Sequence, residues 1–444
     1  VLQLTYIIVI IVNRKGGTHN KPNLNKRMKR FKHKLCFLAL TCLFSLTAFS
    51  QEGAIDSSHV VTLRIDPQSA RGAAVSQIFD EVKFVPLETT KASLFGNISE
   101  LKIAGNKFLI YDYDTRAVLV FTDEGKYLTK IDAAKLQTEK ADKEKAVTHG
   151  FTLVKEGNTE YIAVYTSNNV QYFTLEGNFV KKTKNFNYTS PKLYFANSDV
   201  TIKPYTYIKK GKDSTLYAVG TIDKKTKDTV AYFKLDSKFF EKDDWYGDNP
   251  ITKFNDNEAF YTNYYDYRLY KLTAKKMELA YKFIFPAINT LPKDFITNPI
   301  YVKKRFEYFE KNKKTIHGIG SSYLIGNQLY LKLSNIFWDK DQKKSLIYNT
   351  KTTELLSFQD LEPDSLSSFL PVTDSGFGYD FENRGFLAYE DKKFYTCYSA
   401  LAMFTFKERS AGKATQYPPL LEKYFKTGDR KSNPVIVILK PKQT

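Results

Sequence analysis

The residues of this 444-residue chain that could do chemistry are few and scattered. His59, His149 and His317 are the histidines beyond residue 50, and none stands near another His or a Cys at metal-ligand spacing. In "TIHGIGSSY", His317 precedes Ser321 and Ser322, but a Ser-His-Asp arrangement is assembled in space, not by adjacency along the chain. Cys397 lies in the apolar run "KFYTCYSALAMF", where a buried structural thiol is the common outcome. No G-x-S-x-G, G-x-x-x-x-G-K or H-E-x-x-H motif occurs. "NDNE" (255–258) and "DSGFGYDFEN" (374–383) could offer some of the roughly six to eight oxygens calcium takes, without forming a compact calcium loop. The expectation is therefore no metal and no cofactor, with calcium in a central channel as the alternative.

Aromatic residues in polar surroundings are the better lead. "DDWYGD" (243–248), "YTNYYDYRLY" (261–270) and "FWDKD" (337–341) set Trp245, Tyr246, Tyr264, Tyr265 and Trp338 among Asp, Asn and Gly. Rings so placed could stack on sugar faces while neighbouring Asp or Asn bind hydroxyls. The competing expectation is that they pack inside the fold, as most of 34 Phe and 31 Tyr must.

The elements that would position these residues are strands. From Val60 onward, short runs rich in Val, Ile, Tyr, Phe and Thr alternate with Gly, Asn, Asp and Lys, the pattern of successive hairpins. In "KFLIYDY" and "AVLVFT" apolar residues occupy both parities, as expected of sheets covered on both faces. A four-strand unit recurs near 98–131, 151–182, 194–241, 251–283, 316–358 and 367–408. Six such units predict an all-β, six-bladed β-propeller of four-stranded antiparallel blades with short helical insertions between blades. "HVVTLRI", "EVKFVPLET" and "NPVIVIL" (433–439) fall outside the six units, and one or both ends are expected to complete a terminal blade. The helical stretches are 133–147 and 293–314.

The start of the chain reads as an export signal. "MKRFKHKLCFLALTCLFSLTAFS" (28–50) has a cationic start, an apolar stretch from Leu35 to Ala48 and a small-x-small end at Ala48-Phe49-Ser50. Residues 1–27 read as upstream sequence, 28–50 as the signal peptide and 51–444 as one propeller domain. The apolar run near Leu4–Val12 falls short of the ~18 residues a membrane span needs, so no transmembrane helix is expected. A lipid anchor at Cys42 is disfavoured because Thr41 precedes it where Gly or Ala is wanted. The formal charge of +19 is no nucleic-acid footprint: nine of the 67 basic residues and no acidic ones lie in residues 1–50, leaving +10, spread over polar turns.

"DYDTRAVLVFTDEGKYLTKI" resembles an NHL-type blade, with Asp112 before a small loop, Arg116 entering the next strand and Gly125 in an acidic-Gly turn. Nearly all of the chain after residue 50 resembles the exported six-bladed β-propeller proteins of Bacteroidetes: 79–112 their N-terminal region, 268–295 their middle and "SNPVIVILKPK" (432–442) their last strand. A glycine-rich G-x-G-P-x-E-aromatic segment of that family is replaced here by 133–147. The resemblance implies a periplasmic or cell-surface binding or scaffold module with a protein partner. The alternatives are a carbohydrate-binding propeller of a glycan-utilisation system and a calcium-dependent hydrolase or lyase using the channel. Asp112, Arg116 and Gly125 are expected to be architectural.

Overall fold

A computed structural model describes residues 50–137, 148–167, 169–184, 193–195, 199–210, 213–223, 225–235, 243, 251–255, 257–337, 341–374, 385–413 and 416–443. Of the expected signal peptide, residues 28–49 fall outside them. The described residues within 50–223 and 229–443 make one compact unit of six sheets. Residues 225–228 form a turn in which Thr226 Oγ1 donates to Asp228 Oδ2 at 2.7 Å.

The fold is a six-bladed β-propeller. Blade 1 is Glu100–Ala104, Lys107–Asp112, Ala117–Thr122 and Tyr127–Ile131. Blade 2 lies within 151–184, blade 3 within 193–234, blade 4 within 251–284 and blade 5 within 318–362, each an antiparallel meander in chain order. The first strands are innermost, since those of blades 1 and 2, 4 and 5, and 6 and 1 approach one another. Apolar side chains on both faces of the blades explain the lost alternation: Phe108, Ile110 and Leu119 pack toward blade 6, while Leu109, Val118 and Val120 pack toward blade 2.

Blade 6 departs from the expected 367–408. Its strands are Ala388–Glu390, Lys393–Tyr398, Val435–Pro441 and Phe79–Pro86, so both chain ends close the ring. The segment "ALAMFTF" is helical instead: Ser399 Oγ accepts from Ala402 N at 3.2 Å, and α1 (Ala400–Arg409) follows, then α2 (Pro419–Thr427). Asn433, fully buried, ties the closure by donating to the Glu88 and Ser93 carbonyls at 2.7 and 2.9 Å and accepting from Phe95 N at 3.1 Å.

The N-terminal segment wraps the outer edges of successive blades. Ser50–Glu52 adds parallel to blade 3, Ile55–Asp56 and Val61–Arg64 to blade 4, and Arg71–Ala74 to blade 5, before Phe79–Pro86 enters blade 6. "HVVTLRI" thus joins blade 4 as an outer strand and buries Leu63 and Ile65. Parallel pairing needs a distant partner strand, which a closed ring supplies.

Of the two expected helical stretches, residues 133–137 make turns and 138–147 lie outside the described residues. In 293–314 only α3 (Arg305–Lys311) is an α-helix. Asn298 accepts from Ile300 N at 3.1 Å to start the short 3-10 turn Pro299–Tyr301, which breaks the stretch. In a meander blade, first-to-second and third-to-fourth turns share one face of the ring. The second-to-third and blade-to-blade connections share the other. The insertions 285–317 and 399–434 both leave the sheets at this second face, here the insertion face.

Candidate functional site

The insertion between blades 4 and 5 is built on a buried cation. Arg305 is wholly buried and donates from Nε and Nη2 to Asp243 Oδ2 at 2.8 and 2.6 Å, and from Nη1 to the Phe295 carbonyl. Asp243 Oδ1 accepts from Lys303 N at 2.7 Å. The guanidinium carbon lies 4.7 Å from the Phe295 ring centre and 5.3 Å from that of Tyr265, positions that favour a cation over an aromatic face. Phe295, Tyr301, Tyr308 and Phe309 complete an aromatic cluster on blade 4's second-to-third connection.

This cluster takes in two of the expected ligand residues. Tyr264 and Tyr265 are each only 8% exposed. Tyr265 packs edge-on to Phe295 at 5.1 Å, and the Tyr264 hydroxyl meets that of Tyr205. Their polar sequence neighbours bond within the protein: Thr262 Oγ1 donates to the Ile319 carbonyl at 2.8 Å, and Asp266 Oδ1 accepts from Arg268 Nε at 2.7 Å. Trp245, Tyr246 and Trp338 lie outside the described residues. What the insertion does expose is aliphatic and cationic: Ile288 and Ile300 are 64% and 63% exposed, with Ile296 and Phe306 also open. Six exposed lysines, Lys293, Lys303, Lys304, Lys311, Lys313 and Lys314, outnumber Asp294, Glu307 and Glu310. Sequence reading missed this surface because Phe295 and Phe309, its strongest apolar signals, point inward.

His317 closes the cluster from below, with its ring packed near Tyr265 and Phe309. Burial, with Lys344 adding to it, holds the imidazole down at about 3, so it is neutral. Ser322 instead faces blade 4, where its N–H donates to Thr252 Oγ1, and no His317–Ser contact forms among the described residues. Cys397 is half-buried and its apolar setting pushes the thiol up to about 12, far from a reactive thiolate.

The blade-motif residues make local contacts in turns and connections. Asp112 Oδ2 accepts from Thr115 N and Oγ1 at 3.2 and 2.6 Å, fixing the turn. Arg116 lies over the Tyr113 ring at 3.7 Å, and its carbonyl accepts from Thr148 Oγ1 on the way to blade 2. Gly125 has φ +83°, and a Cβ there would sit 2.1 Å from the Pro86 carbonyl oxygen, so only glycine lets the closing strand pass.

Carboxylates serve nearby cations. At the channel mouth Lys253 Nζ of blade 4 lies 2.9 and 3.2 Å from the two carboxylate oxygens of Glu390 in blade 6. Glu160 of blade 2 has its carboxyl pushed up by burial, with Glu390 adding and Lys155 opposing. Asp374 is held by the buried Lys332 at 3.1 Å, and 375–383 lie outside the described residues. Among the described residues no group of three or more His, Cys, Asp or Glu is placed to hold a metal.

On the opposite face a cleft of about 370 Å³ opens between blades 4 and 5. Phe254, Lys271 and Glu278 of blade 4, Leu324 of blade 5 and the wrapping segment at His59 and Val61 line it. Among the described residues no helix is long and apolar enough to cross a membrane.

A Bacteroides fragilis protein whose name proposes export shares this fold at 15% identity and a TM-score of 0.58, over 86% of this chain and 99% of its own. A Bacteroides vulgatus member of the DUF4221 family aligns at 10% identity and a TM-score of 0.40, over 82% and 98%. No curated protein matches the chain. The family described as "Domain of unknown function (DUF4934)" matches residues 60–440, the six blades with most of their wrapping segment, and the chain belongs to that family.

Proposed function

We propose that this protein is an exported binding or scaffold module of the bacterial envelope, and that it engages a protein partner through the insertion between blades 4 and 5. The leader read at residues 28–50 supports export. The observation that carries the binding role is the exposed set Ile288, Ile296, Ile300 and Phe306 on a segment pinned by the buried Arg305–Asp243 pair. Scattered surface apolar residues are ordinary, but four on one insertion held from beneath support a binding reading. Six lysines against three carboxylates make the complementary surface acidic, with an aliphatic ridge.

The test is site-specific photo-crosslinking in the producing cell, with the probe at position 300 and a control probe at Leu128 of blade 1. The expected result is a discrete crosslinked partner from position 300 alone, lost on Ile288→Asp/Phe306→Asp with the melting temperature unchanged. No crosslink, or the same products from both positions, overturns the proposal.

A further inference from the structure

The cleft between blades 4 and 5 lies on the face away from the insertion and has its own chemistry. Strand register sets Phe260, Lys271, Glu278 and Asp56 in one cross-strand row, the last contributed by the wrapping segment. Phe254 and Phe260 stack at 4.8 Å and 24° at the inner end of this row. Leu324 and Val61 add apolar walls, and Ser58 and His59 stand at the rim.

Lys271 and Glu278 are already ion-paired inside the protein, and Asp56 is held by hydrogen bonds from Ser58. Lys271 Nζ lies 3.1 Å from Glu278 and 3.4 Å from Glu258, and Glu278 also meets Lys276. Asp56 Oδ1 accepts from Ser58 N and Oγ at 3.0 and 2.6 Å. These partners hold the Asp56 and Glu278 carboxyls below the usual carboxylate range, so both remain acceptors at neutral pH. A carboxylate has roughly four lone-pair sites and an ammonium three N–H groups, so capacity remains for hydroxyls that both donate and accept. An incoming ion would have to displace a partner of Lys271 or Glu278, whereas a neutral hydroxylated molecule would not. The volume, about 370 Å³, lies within the roughly 300–1,000 Å³ range of small-molecule sites.

We infer that this cleft binds a neutral carbohydrate of one or two sugar rings, its C–H face toward Phe254, which the buried Phe260 backs, and its hydroxyls toward Asp56, Lys271 and Glu278. The site is completed by the N-terminal segment, since Asp56 to Val61 form one wall. It is independent of the partner surface on the opposite face.

The experiment is saturation-transfer NMR and calorimetric titration of residues 51–444 with neutral disaccharides (cellobiose, maltose, lactose, mannobiose) and with glucosamine and glucuronate as charged comparators. Two rim variants accompany it: Val61→Trp, at a position 48% exposed, fills the mouth, and His59→Ala removes one polar group. The expected result is binding of at least one neutral disaccharide, weakened by about tenfold or more in Val61→Trp and up to about tenfold in His59→Ala, with unchanged melting temperatures. The inference is overturned if no neutral sugar binds at about 20 mM, well above a weak ~1 mM dissociation constant. It is equally overturned if Val61→Trp binds like the parent chain, or if a charged comparator binds more tightly than every neutral sugar.

Discussion

Arg305 and Asp243 stand 62 residues apart in the chain and meet as a wholly buried ion pair, two guanidinium nitrogens on one carboxylate oxygen at 2.6 and 2.8 Å. The pair ties the segment before blade 4 to the insertion after it, and so rigidifies the surface assigned to the partner. Removing one member leaves the other charge buried without compensation. Arg305→Leu is expected to cost about 3–5 kcal/mol in urea unfolding, and Asp243→Leu added to it should recover most of that loss. Equal stability of parent and single variant would show that the pair does not hold the insertion.

His317 makes stability depend on pH in a stated direction. Its folded-state value, about 3, lies below the ordinary 6.5, so the unfolded chain binds a proton that the folded chain rejects. Stability is then unaffected by His317 above pH ~6.5 and falls by about 1.4 kcal/mol per unit as pH drops from there toward ~3. Thermal melts between pH 7 and 4 should show this fall, and His317→Gln should flatten it. A parallel decline in both proteins would assign the acid sensitivity to other groups.

Asn433 holds the ring shut at the junction of the two chain ends. Asn433→Ala leaves the Ser93 carbonyl and the Phe95 N–H without their buried partner, while the Glu88 carbonyl keeps the Ser93 hydroxyl at 2.7 Å. At roughly 1–3 kcal/mol for each of these two groups left unsatisfied, a loss of about 2 kcal/mol or more is expected in equilibrium unfolding. A loss under about 1 kcal/mol would mean that water takes over both bonds.

The wrapping segment is expected to be integral to the ring. A chain starting at Asp66 loses the outer strands of blades 3 and 4 and the buried side chains of Leu63 and Ile65. Those two alone contribute about 1.5–3 kcal/mol each, and the bared edges invite pairing between molecules. Lower unfolding midpoints together with concentration-dependent sedimentation check this. An equally stable, monodisperse truncated chain would show the segment to be an ornament.

Much of this architecture is written locally. Blades 1 to 5 are legible because each strand run and turn is a short-range pattern. The Glu124-Gly125 turn and the Gly105-Asn106 turn announce their hairpins without reference to the rest of the chain. The closing role of "EVKFVPLET" and "NPVIVIL" follows from the need of a ring to leave no unmatched blade, and both strands do enter blade 6. The misreading of "ALAMFTF" was avoidable, since Ala, Leu and Met behind Ser399 favour a capped helix over a strand.

The sequence by itself determined the all-β class, the blade repeat and the ring count, because hydrophobic periodicity and turn chemistry act between near neighbours. Only the tertiary structure decided that Tyr264 and Tyr265 are buried under the insertion, that Arg116 lies on Tyr113 and leaves Asp112 to Thr115, and that Asp56 stands beside Glu278. Each of those outcomes depends on which distant strand arrives alongside. Sequence spacing carries no record of it: a ring on a loop and a ring in a core have the same composition until the chain closes around one of them.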